Sequence, residues 1–545
     1  MRLRWRWLSH RSRWLSLVAG GAVAILVFPA PNLESLAWFG LVPGMVLITR
    51  APTLRDGWSR AWWFGAGYVI AAMYWMAPEI GPGLLLLGVA LGVLWVPYGM
   101  AVWTLLRSPI TWGRAGLALV VVPSCWLLGE YIRSWQALGG PWDVYGASQW
   151  QHPAILALAS VGGVWLITFA LVAANVGVFA ALSVYATGGA LASRILRTAA
   201  GLVIAGVCVA SGPVAFALTP PFPAVREVTI SLVQAGLVSS TDLQSHLSQT
   251  ITEQLSGDGT LDGAAPDLVV WGESSIDEDL TLASNHVLLS QIEALSAKIG
   301  AEILVNQDAI VTGKGHEKWA VLVSPSGIKG IYVKTRLVPF GEYIPFRQQL
   351  GWLTKISRAA SSNMVPGTGA HLLHATDRQG QPLPIGVLIC FESAFPDMAR
   401  ADADLGAQVI VYQSATSTFQ GTWGPDQHAS LGALRAAETG RPVVQAALTG
   451  DTVAFDARGR QLDWMGQSSH GVVTAKLALP SGSDRTFYDQ HGDYVPRAAT
   501  VVVVLSALVF FLRRKTGASG GGGAEYTQAL SSQEREAAGE GEPRR

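Results

Sequence analysis

Residues 384–392, Pro384-Ile385-Gly386-Val387-Leu388-Ile389-Cys390-Phe391-Glu392, form an apolar run that ends in a thiol and a carboxylate. A short unbroken run of this kind is typical of a strand buried on both faces of a parallel sheet. A helical pattern follows over 395–404, so we expect Cys390 at a turn between a strand and a helix. A helix N-terminus lowers the pKa of a thiol and offers N–H groups to a developing oxyanion. The segment therefore predicts an α/β domain in which Cys390 is a candidate nucleophile.

Two other predicted strands also end beside a charged residue. Glu273 follows a strand at 267–271, and Lys334 follows a strand at 328–333. Functional groups of α/β proteins collect at the carboxyl ends of strands, so these residues and Cys390 could form a base, an oxyanion partner and a nucleophile. Taken singly, each also fits a plainer role: a solvated acid, a surface lysine and a small buried hydrophobe.

The region around these residues, 220–497, has the composition of a soluble domain. Its predicted strands lie at 227–233, 267–271, 302–305, 320–324, 328–333, 384–390, 409–413, 442–446 and 471–475. Its predicted helices lie at 241–255, 286–299, 395–404 and 426–440. The alternation of strands and helices predicts one α/β domain.

The rest of the chain has the composition of a membrane protein. Only 14% of all residues are charged, against about 25% in an average soluble protein. Apolar runs occur at 14–30, 34–49, 61–77, 83–106, 115–132, 154–186, 198–218 and 498–512. Most approach the roughly 20 residues that a spanning helix needs. We therefore expect a membrane domain over 1–219 with about seven transmembrane helices, and a C-terminal transmembrane helix over 498–512.

The basic residues predict the orientation of these spans. Arginines precede the first run, and others fall in alternate loops and directly after the last run. The positive-inside rule then places both termini in the cytoplasm and residues 220–497 outside. A cleaved signal peptide is the competing interpretation of the arginine-rich start, but no cleavage site followed by a soluble domain is evident. The Gly-, Ser- and Glu-rich residues 513–545 are expected to be a disordered cytoplasmic tail.

Charge and cysteine content exclude other classes of protein. The 38 basic and 38 acidic residues cancel, which argues against a nucleic-acid partner. Three cysteines without paired spacing form neither a disulfide framework nor a structural zinc site. Cys125 and Cys208 fall in membrane runs and are expected to be buried hydrophobes. We expect no metal and no cofactor.

Three segments taken together resemble the Glu, Lys and Cys motifs of the nitrilase superfamily. They are Pro266-Asp267-Leu268-Val269-Val270-Trp271-Gly272-Glu273-Ser274, Tyr332-Val333-Lys334 with the residues that follow it to Pro345, and Ile389-Cys390-Phe391-Glu392. The version with Leu337-Val338-Pro339-Phe340-Gly341-Glu342-Tyr343, carried on a polytopic membrane protein, resembles the bacterial apolipoprotein N-acyltransferases. The resemblance covers about residues 15 to 512 and implies an α-β-β-α sandwich between the seventh and eighth spans.

The resemblance also implies a reaction. Glu273 would be the base, Lys334 the oxyanion partner and Cys390 the nucleophile that carries an acyl thioester. Glu342 would be a second required carboxylate, and Glu392 would support the nucleophile turn. A phospholipid would be the acyl donor, and the N-terminal amine of a diacylated apolipoprotein would be the acceptor. The enzyme would lie in the bacterial plasma membrane with its catalytic domain on the outer side.

Two segments depart from the family pattern. Residues 233–237 (Val-Gln-Ala-Gly-Leu) replace a Gly-Asn pair with a nearby Trp, and residues 413–419 (Gln-Ser-Ala-Thr-Ser-Thr-Phe) replace an Asn-Asp and Trp-Phe pattern. These changes could mean a divergent paralogue with a different acceptor or reduced activity. Two alternative functions also stay open. One is a membrane-tethered amidase that uses the same triad and delivers the acyl group to water, and the other is a non-catalytic lipoprotein-binding paralogue.

Three further polar residues invite interpretation. His428 is expected to be a hydrogen-bonding residue at a helix start rather than a catalytic imidazole. Glu130 and Arg133, close to a membrane boundary, either pair and hold a lipid headgroup or serve as interfacial anchors.

Overall fold

The computed structural model describes residues 2–184, 190–236, 241–253, 265–311, 315–355 and 363–512. The predicted disordered tail, 513–545, lies outside the described residues. The described chain contains a helical region and a region built on two β-sheets, as the sequence predicts.

The described part of the helical region contains ten α-helices. They are α1 (Arg2–Val27), α2 (Val42–Thr49), α3 (Leu54–Ala72), α4 (Ala77–Ile80), α5 (Gly83–Gly92), α6 (Val96–Leu106), α7 (Trp112–Arg133), α8 (Pro153–Leu156), α9 (Ala159–Ser183) and α10 (Leu191–Leu218). Among the described residues, five helical segments are long and apolar enough to cross a membrane: Gly83–Leu106, Trp112–Arg133, Ala159–Ser183, Leu191–Leu218 and Tyr494–Leu512. These five match predicted runs.

The predicted run at 34–49 has a different structure. It forms a 3-10 helix, Glu34–Trp38, and the short helix α2. Between these two pieces, the backbone N–H of Leu41 has a side-chain partner. The buried side chain of Asn175 on α9 accepts it at 2.8 Å. Together the two pieces fall short of the roughly 20 residues of a spanning helix.

Helices α1 and α3 pack closely because glycines line their contact. A Cβ at Gly20 would lie 2.0 Å from the Phe64 carbonyl oxygen, and a Cβ at Gly67 would lie 1.9 Å from that of Leu17. Small residues allow this approach, which is how apolar helices associate in lipid.

The second region contains two six-stranded sheets. Their strands are β1 (Arg226–Gln234), β2 (Leu268–Trp271), β3 (Glu302–Val311), β4 (Gly315–Ser324), β5 (Gly327–Val333), β6 (Leu372–Thr376), β7 (Pro382–Ile389), β8 (Val409–Ser414), β9 (Val443–Ala447), β10 (Thr452–Phe455), β11 (Gln461–Met465) and β12 (Gly471–Leu479). The strand orders are β12-β1-β2-β3-β4-β5 and β11-β10-β9-β8-β7-β6. The central strands β1-β2-β3 and β7-β8-β9 run parallel, and the outer pairs are antiparallel.

Helices accompany both sheets. They are α11 (Thr241–Glu253), α12 (His286–Ile299), α13 (Arg347–Leu350), α14 (Pro396–Leu405), α15 (Gly424–Thr439) and α16 (Phe487–His491). The helix that follows this region, α17 (Tyr494–Leu512), is one of the five segments long and apolar enough to cross a membrane. Alternate residues of a strand face opposite sides of its sheet. In β2, Leu268 and Val270 pack in the core shared with the second sheet, whereas Val269 and Trp271 pack with residues of α12. The layers are therefore α-β-β-α, as predicted.

All nine predicted strands and all four predicted helices of this region are present, with small shifts at their ends. Among the described residues, the differences are three additional strands (β6, β10 and β11), two additional short helices (α13 and α16) and the greater lengths of β3, β4 and β12. Of the additional strands, β6 and β11 lie at sheet edges.

The two-sheet region docks on one end of the helical region. Gln136, just after α7, donates to the Leu337 carbonyl at 2.8 Å. The other end of α7, 22 residues or about 33 Å away, begins beside Arg107 and Arg114. Arg50 precedes α3, and Arg194 and Arg197 lie in the first two turns of α10. The opposite ends of these helices contact the two-sheet region, through Tyr74 just after α3 and Phe216 near the end of α10.

One contact joins the two regions at a break in α9. The helix is interrupted at Gly162 and Gly163, which have non-helical backbone angles. Beyond the break, the N–H of Val164 donates to Glu438 of α15 at 2.9 Å, and both residues are fully buried. A carboxylate from the two-sheet region thus caps a helix of the other region.

Candidate active site

Three residues predicted at strand ends meet in one cluster, in which Glu273 and Lys334 are buried and Cys390 is partly buried. Glu273 follows β2, Lys334 follows β5 and Cys390 follows β7 of the other sheet. Lys334 Nζ lies 3.1 Å from Glu273 Oε1, and the Cys390 thiol is hydrogen-bonded to the Glu273 carboxylate. The second carboxylate oxygen of Glu273 accepts the backbone N–H of Ala415 at 3.1 Å. The carboxylate is therefore held between an ammonium and a thiol.

Glu342 lies on the other side of the same ammonium. Its Oε1 is 2.6 Å from Lys334 Nζ, and its Oε2 accepts the N–H of Val338 at 2.9 Å. The turn that presents Glu342 is tight, since Phe340 has a φ of +65° and its N–H donates to Tyr343. The Lys334 ammonium thus forms ion pairs with two carboxylates, those of Glu273 and Glu342.

The opposite charges in this cluster stabilise the ionised forms of one another. Burial alone would lower the pKa of Lys334, but Glu273 and Glu342 outweigh it and hold that pKa well above its ordinary value. Burial alone would raise the pKa of Glu273, but Lys334 and Lys318 outweigh it and hold that pKa below its ordinary value. At neutral pH the cluster therefore contains a carboxylate and an ammonium.

The thiol of Cys390 is neutral in this setting. Burial, reinforced by Glu273, raises its pKa to about 12. The sequence-based expectation that a helix N-terminus lowers this pKa is wrong. Cys390, with a φ of +50°, begins only a five-residue 3-10 helix, and α14 starts at Pro396. Ionisation of this thiol requires a neighbouring base, and Glu273 is the group in contact with it.

Glu392 supports the turn that carries the thiol. Its Oε2 accepts the N–H of Ile389 at 2.7 Å, and its Oε1 accepts those of Thr335 and Arg336 at 2.7 and 2.9 Å. The hydroxyl of Tyr332 donates to the same carboxylate at 3.0 Å. Burial raises the pKa of Glu392 to about 7. The side chain therefore joins the ends of β5 and β7, in the position expected of a supporting residue.

Lys318 on β4 is a cluster residue that the sequence did not reveal. Its Nζ lies 2.7 Å from Ser274 Oγ and 2.6 Å from Asp308 Oδ1. Only its place in a buried strand distinguishes it from a surface lysine, and the predicted strand at 320–324 began too late to include it.

His428 on α15 lies beneath the nucleophile turn. Its imidazole contacts the Ser393 hydroxyl at 3.1 Å and that of Ser414 at 3.5 Å. The Trp142 ring stacks on it with 5.7 Å between centroids. Burial lowers the pKa of His428 to about 4, so the ring is neutral. The interpretation of His428 as a hydrogen-bonding residue agrees with these contacts.

Each of the two segments that depart from the family pattern has a glutamine held by hydrogen bonds. Gln413 donates from Nε2 to the Trp271 carbonyl at 2.9 Å and accepts from Asn306 at 3.2 Å, so it joins the two sheets. Gln234 donates to the carbonyls of Gly466 and Ser469. Leu237, the last residue of the first departure, lies outside the described residues.

The helical region shapes one side of the site. A Cβ at Gly140 would lie 2.6 Å from the ring of Phe395, so the loop after α7 packs directly against the nucleophile turn. Glu130 accepts the N–H of Tyr145 at 2.7 Å, and Arg133 donates to the Trp142 carbonyl. Both side chains are buried and hold this loop, so neither of the two expected roles describes them.

The described residues contain no group of three or more His, Cys, Asp or Glu side chains placed to hold a metal ion. The chemistry of the cluster is that of a thiol next to a carboxylate and an ammonium. Such a set can form and break a covalent acyl intermediate.

Comparisons with known proteins agree with both regions. Residues 20–177 match the family model described as the apolipoprotein N-acyltransferase N-terminal domain. Residues 267–484 match the carbon-nitrogen hydrolase family model.

Whole-length relatives carry the same combination. A protein of Rhizobium meliloti (strain 1021) named Apolipoprotein N-acyltransferase is 33% identical over 504 residues, which cover 86% of this chain and 91% of the relative. One of the same name from Chlorobaculum tepidum is 27% identical over 519 residues, covering 89% and 93%. The family predicted from the three motifs is confirmed: this chain belongs to the apolipoprotein N-acyltransferases.

Proposed function

We propose that the chain transfers an acyl chain from a phospholipid to the N-terminal amine of diacylglyceryl-cysteine in apolipoproteins, through a thioester on Cys390. Lipoprotein N-acylation is the activity for which its relatives are named. The observation that carries the proposal is the buried contact of Glu273 with both Lys334 and the Cys390 thiol. This step completes the maturation of a lipoprotein.

The first half-reaction loads the enzyme. Glu273 takes the proton of the Cys390 thiol while the sulfur attacks the ester carbonyl carbon of the phospholipid. The Lys334 ammonium donates to the oxyanion that forms. The carbon–oxygen bond then breaks, and Glu273 returns the proton to the departing lysophospholipid oxygen. The products are the Cys390 thioester and a lysophospholipid.

The second half-reaction transfers the acyl group from Cys390 to the acceptor. The neutral α-amine of the acceptor attacks the thioester carbonyl, and Glu273 accepts a proton from the nitrogen. The carbon–sulfur bond breaks, the Cys390 thiol regains its proton, and an amide-linked third acyl chain remains on the lipoprotein. Lys334 serves both oxyanions, and Glu342 keeps its ammonium in place.

We place residues 1–219 and 498–512 in the bacterial plasma membrane, residues 220–497 on its outer side and residues 513–545 in the cytoplasm. Two features support this arrangement. Arginines lie at the starts of α3, α7 and α10, which are the helix ends farthest from the two-sheet region. Donor and acceptor both remain in lipid, so a catalytic domain fastened by a span at each end keeps Cys390 near the membrane surface.

The test is chemical capture of the intermediate. Purified protein incubated with a fluorescent phospholipid in detergent is expected to form one labelled adduct that neutral hydroxylamine releases. Cys390→Ala is expected to abolish the adduct, whereas Cys125→Ala and Cys208→Ala, which alter thiols within α7 and α10, are matched controls that retain it. An adduct that survives in Cys390→Ala contradicts the proposal.

Addition of a diacylated lipopeptide with a free N-terminal amine separates transfer from hydrolysis. The thioester is expected to persist in water and to decay when the lipopeptide is added, with an amide-linked third chain as the product. Equal decay with and without lipopeptide, and free fatty acid as the sole product, would identify an amidase instead.

A further inference from the structure

Lys318 brings a second buried ammonium close to the proposed base. It lies on β4 opposite Asp308 of β3 and is 7% exposed. Its Nζ is 2.7 Å from the hydroxyl of Ser274, the residue that directly follows Glu273. Ser274 has a φ of +55°, and its own N–H donates to Asn306 Oδ1 at 2.9 Å. Lys318 is therefore attached to the short backbone segment that aims the Glu273 carboxylate.

The charge balance of the cluster calls for such a cation. Lys334 lies between two carboxylates, Glu273 and Glu342, so these three groups together carry an excess negative charge. A buried excess charge is costly unless another charge of opposite sign is near. Asp308, the ion-pair partner of Lys318, has a side chain that is 44% exposed. The positive charge of Lys318 nevertheless reaches Glu273, where after that of Lys334 it helps to lower the pKa of the carboxyl against the effect of burial.

We propose that Lys318 is a positioning residue that, through Ser274, keeps Glu273 ionised and directed at the Cys390 thiol. The inference rests on the proposed function only in taking Glu273 as the base. It assigns a role to a residue outside the three motifs by which the family resemblance was identified.

The other titratable groups around Glu273 determine which pKa values change when the Lys318 charge is removed. They are Lys334 from the end of β5, Glu342 from the following loop, Cys390 from the end of β7 and His428 from α15. His428 is neutral above pH 5, and Lys334 keeps its proton. Removal of the Lys318 charge therefore acts on Glu273 and the thiol, and it raises the pKa of both.

The experiment measures the alkylation rate of Cys390 by iodoacetamide against pH, in the full-length protein in detergent with Cys125→Ala and Cys208→Ala. For Lys318→Met we expect the whole profile to move to higher pH by about one unit, which is about a tenfold lower rate at a fixed pH on the limb. Lys318→Arg keeps the charge and is expected to restore the profile. Lys329→Met is the matched control, because Lys329 on β5 pairs with Glu302 and Thr376 away from the site.

Superimposed profiles of the wild type and Lys318→Met would overturn the inference. Thermal unfolding of each variant shows whether it is folded. If Lys318→Met does not fold, Ser274→Ala takes its place. That change removes the attachment but keeps the charge, and it must shift the profile in the same direction by a smaller amount.

The outcomes separate the two proposals. A wild type that forms no thioester with phospholipid, together with a shifted profile in Lys318→Met, removes the proposed function and leaves this inference standing. A wild type that forms the thioester, together with an unshifted profile in Lys318→Met, supports the proposed function and overturns this inference.

Discussion

His428 donates a hydrogen bond from Nε2 to the carbonyl oxygen of Cys390 at a distance of 3.1 Å. The direction is fixed because a carbonyl can only accept, so Nδ1 of the neutral ring is left to accept from the Ser414 hydroxyl. The opposite neighbour of the ring is Trp142, which belongs to the loop after α7. The backbone of the proposed nucleophile is thus held by an imidazole whose own position depends on the helical region.

Replacement of His428 is expected to slow thioester formation without abolishing it. His428→Ala leaves the partly buried Cys390 carbonyl without this donor, a loss of about 1 to 3 kcal/mol, and relaxes the positive-φ turn. We expect a decrease of roughly tenfold or more in the acylation rate, with an unchanged half-saturating concentration of phospholipid. His428→Gln, which can donate from its amide, should recover part of the rate. An unchanged rate in His428→Ala would contradict this role.

The same residue predicts a pH dependence of stability. The pKa of His428 is about 4 in the folded protein and 6.5 when it is unfolded, so the unfolded state binds the extra proton between these values. The stability that neutral His428 provides is therefore complete above pH 6.5 and is lost as the pH falls to 4. The difference in unfolding free energy between wild type and His428→Gln should shrink by about 3 kcal/mol over this range. Denaturant unfolding at a series of pH values measures it, and a constant difference would contradict the burial of a neutral ring.

Lys334→Met is expected to lower the rate of thioester formation by about 10²- to 10³-fold. The change removes the ammonium that meets the oxyanion, an interaction worth about 3 to 4 kcal/mol in comparable sites. It also leaves Glu273 and Glu342 facing each other without a cation. Single-turnover kinetics with labelled phospholipid report the loss, and Lys329→Met again provides the control. A rate within a fewfold of the wild type would show that another donor binds the oxyanion.

Cysteine labelling tests the proposed orientation. In a protein without its three native cysteines, Ser468→Cys adds a thiol to an exposed turn of the two-sheet region, and Ser108→Cys adds one to the exposed loop between α6 and α7. A membrane-impermeant maleimide applied to intact bacterial cells is expected to modify residue 468 and to modify residue 108 only after lysis. The reverse pattern would place the two-sheet region in the cytoplasm.

The central strands could be predicted from the sequence because burial on both faces makes their composition uniform. Strands β2, β8 and β9 are buried throughout and match the predicted strands at 267–271, 409–413 and 442–446. Not every edge strand has such a pattern. Strand β11, Gln461–Met465, is exposed or half-buried at every position, so nothing in its hydrophobicity marks it as a strand.

Local sequence limited what could be predicted of the site. Glu273 and Lys334, 61 positions apart, could be placed together because parallel strands end at a common edge. The neutral state of Cys390 could not be foreseen, since it depends on how much water the assembled cluster excludes. The same is true of Lys318, because sequence alone does not show which lysine of a strand points inward.

The cap that Glu438 provides for α9 has a consequence for biogenesis. The carboxylate is synthesised 274 residues after Val164, the N–H that it binds. When α9 first enters the bilayer, the break at Gly162 and Gly163 therefore has no partner for that group. The partner becomes available only after most of the two-sheet region has been synthesised and α15 has formed. The N–H of Val164 therefore gains its hydrogen-bond partner only when the two-sheet region has folded and packed against α9.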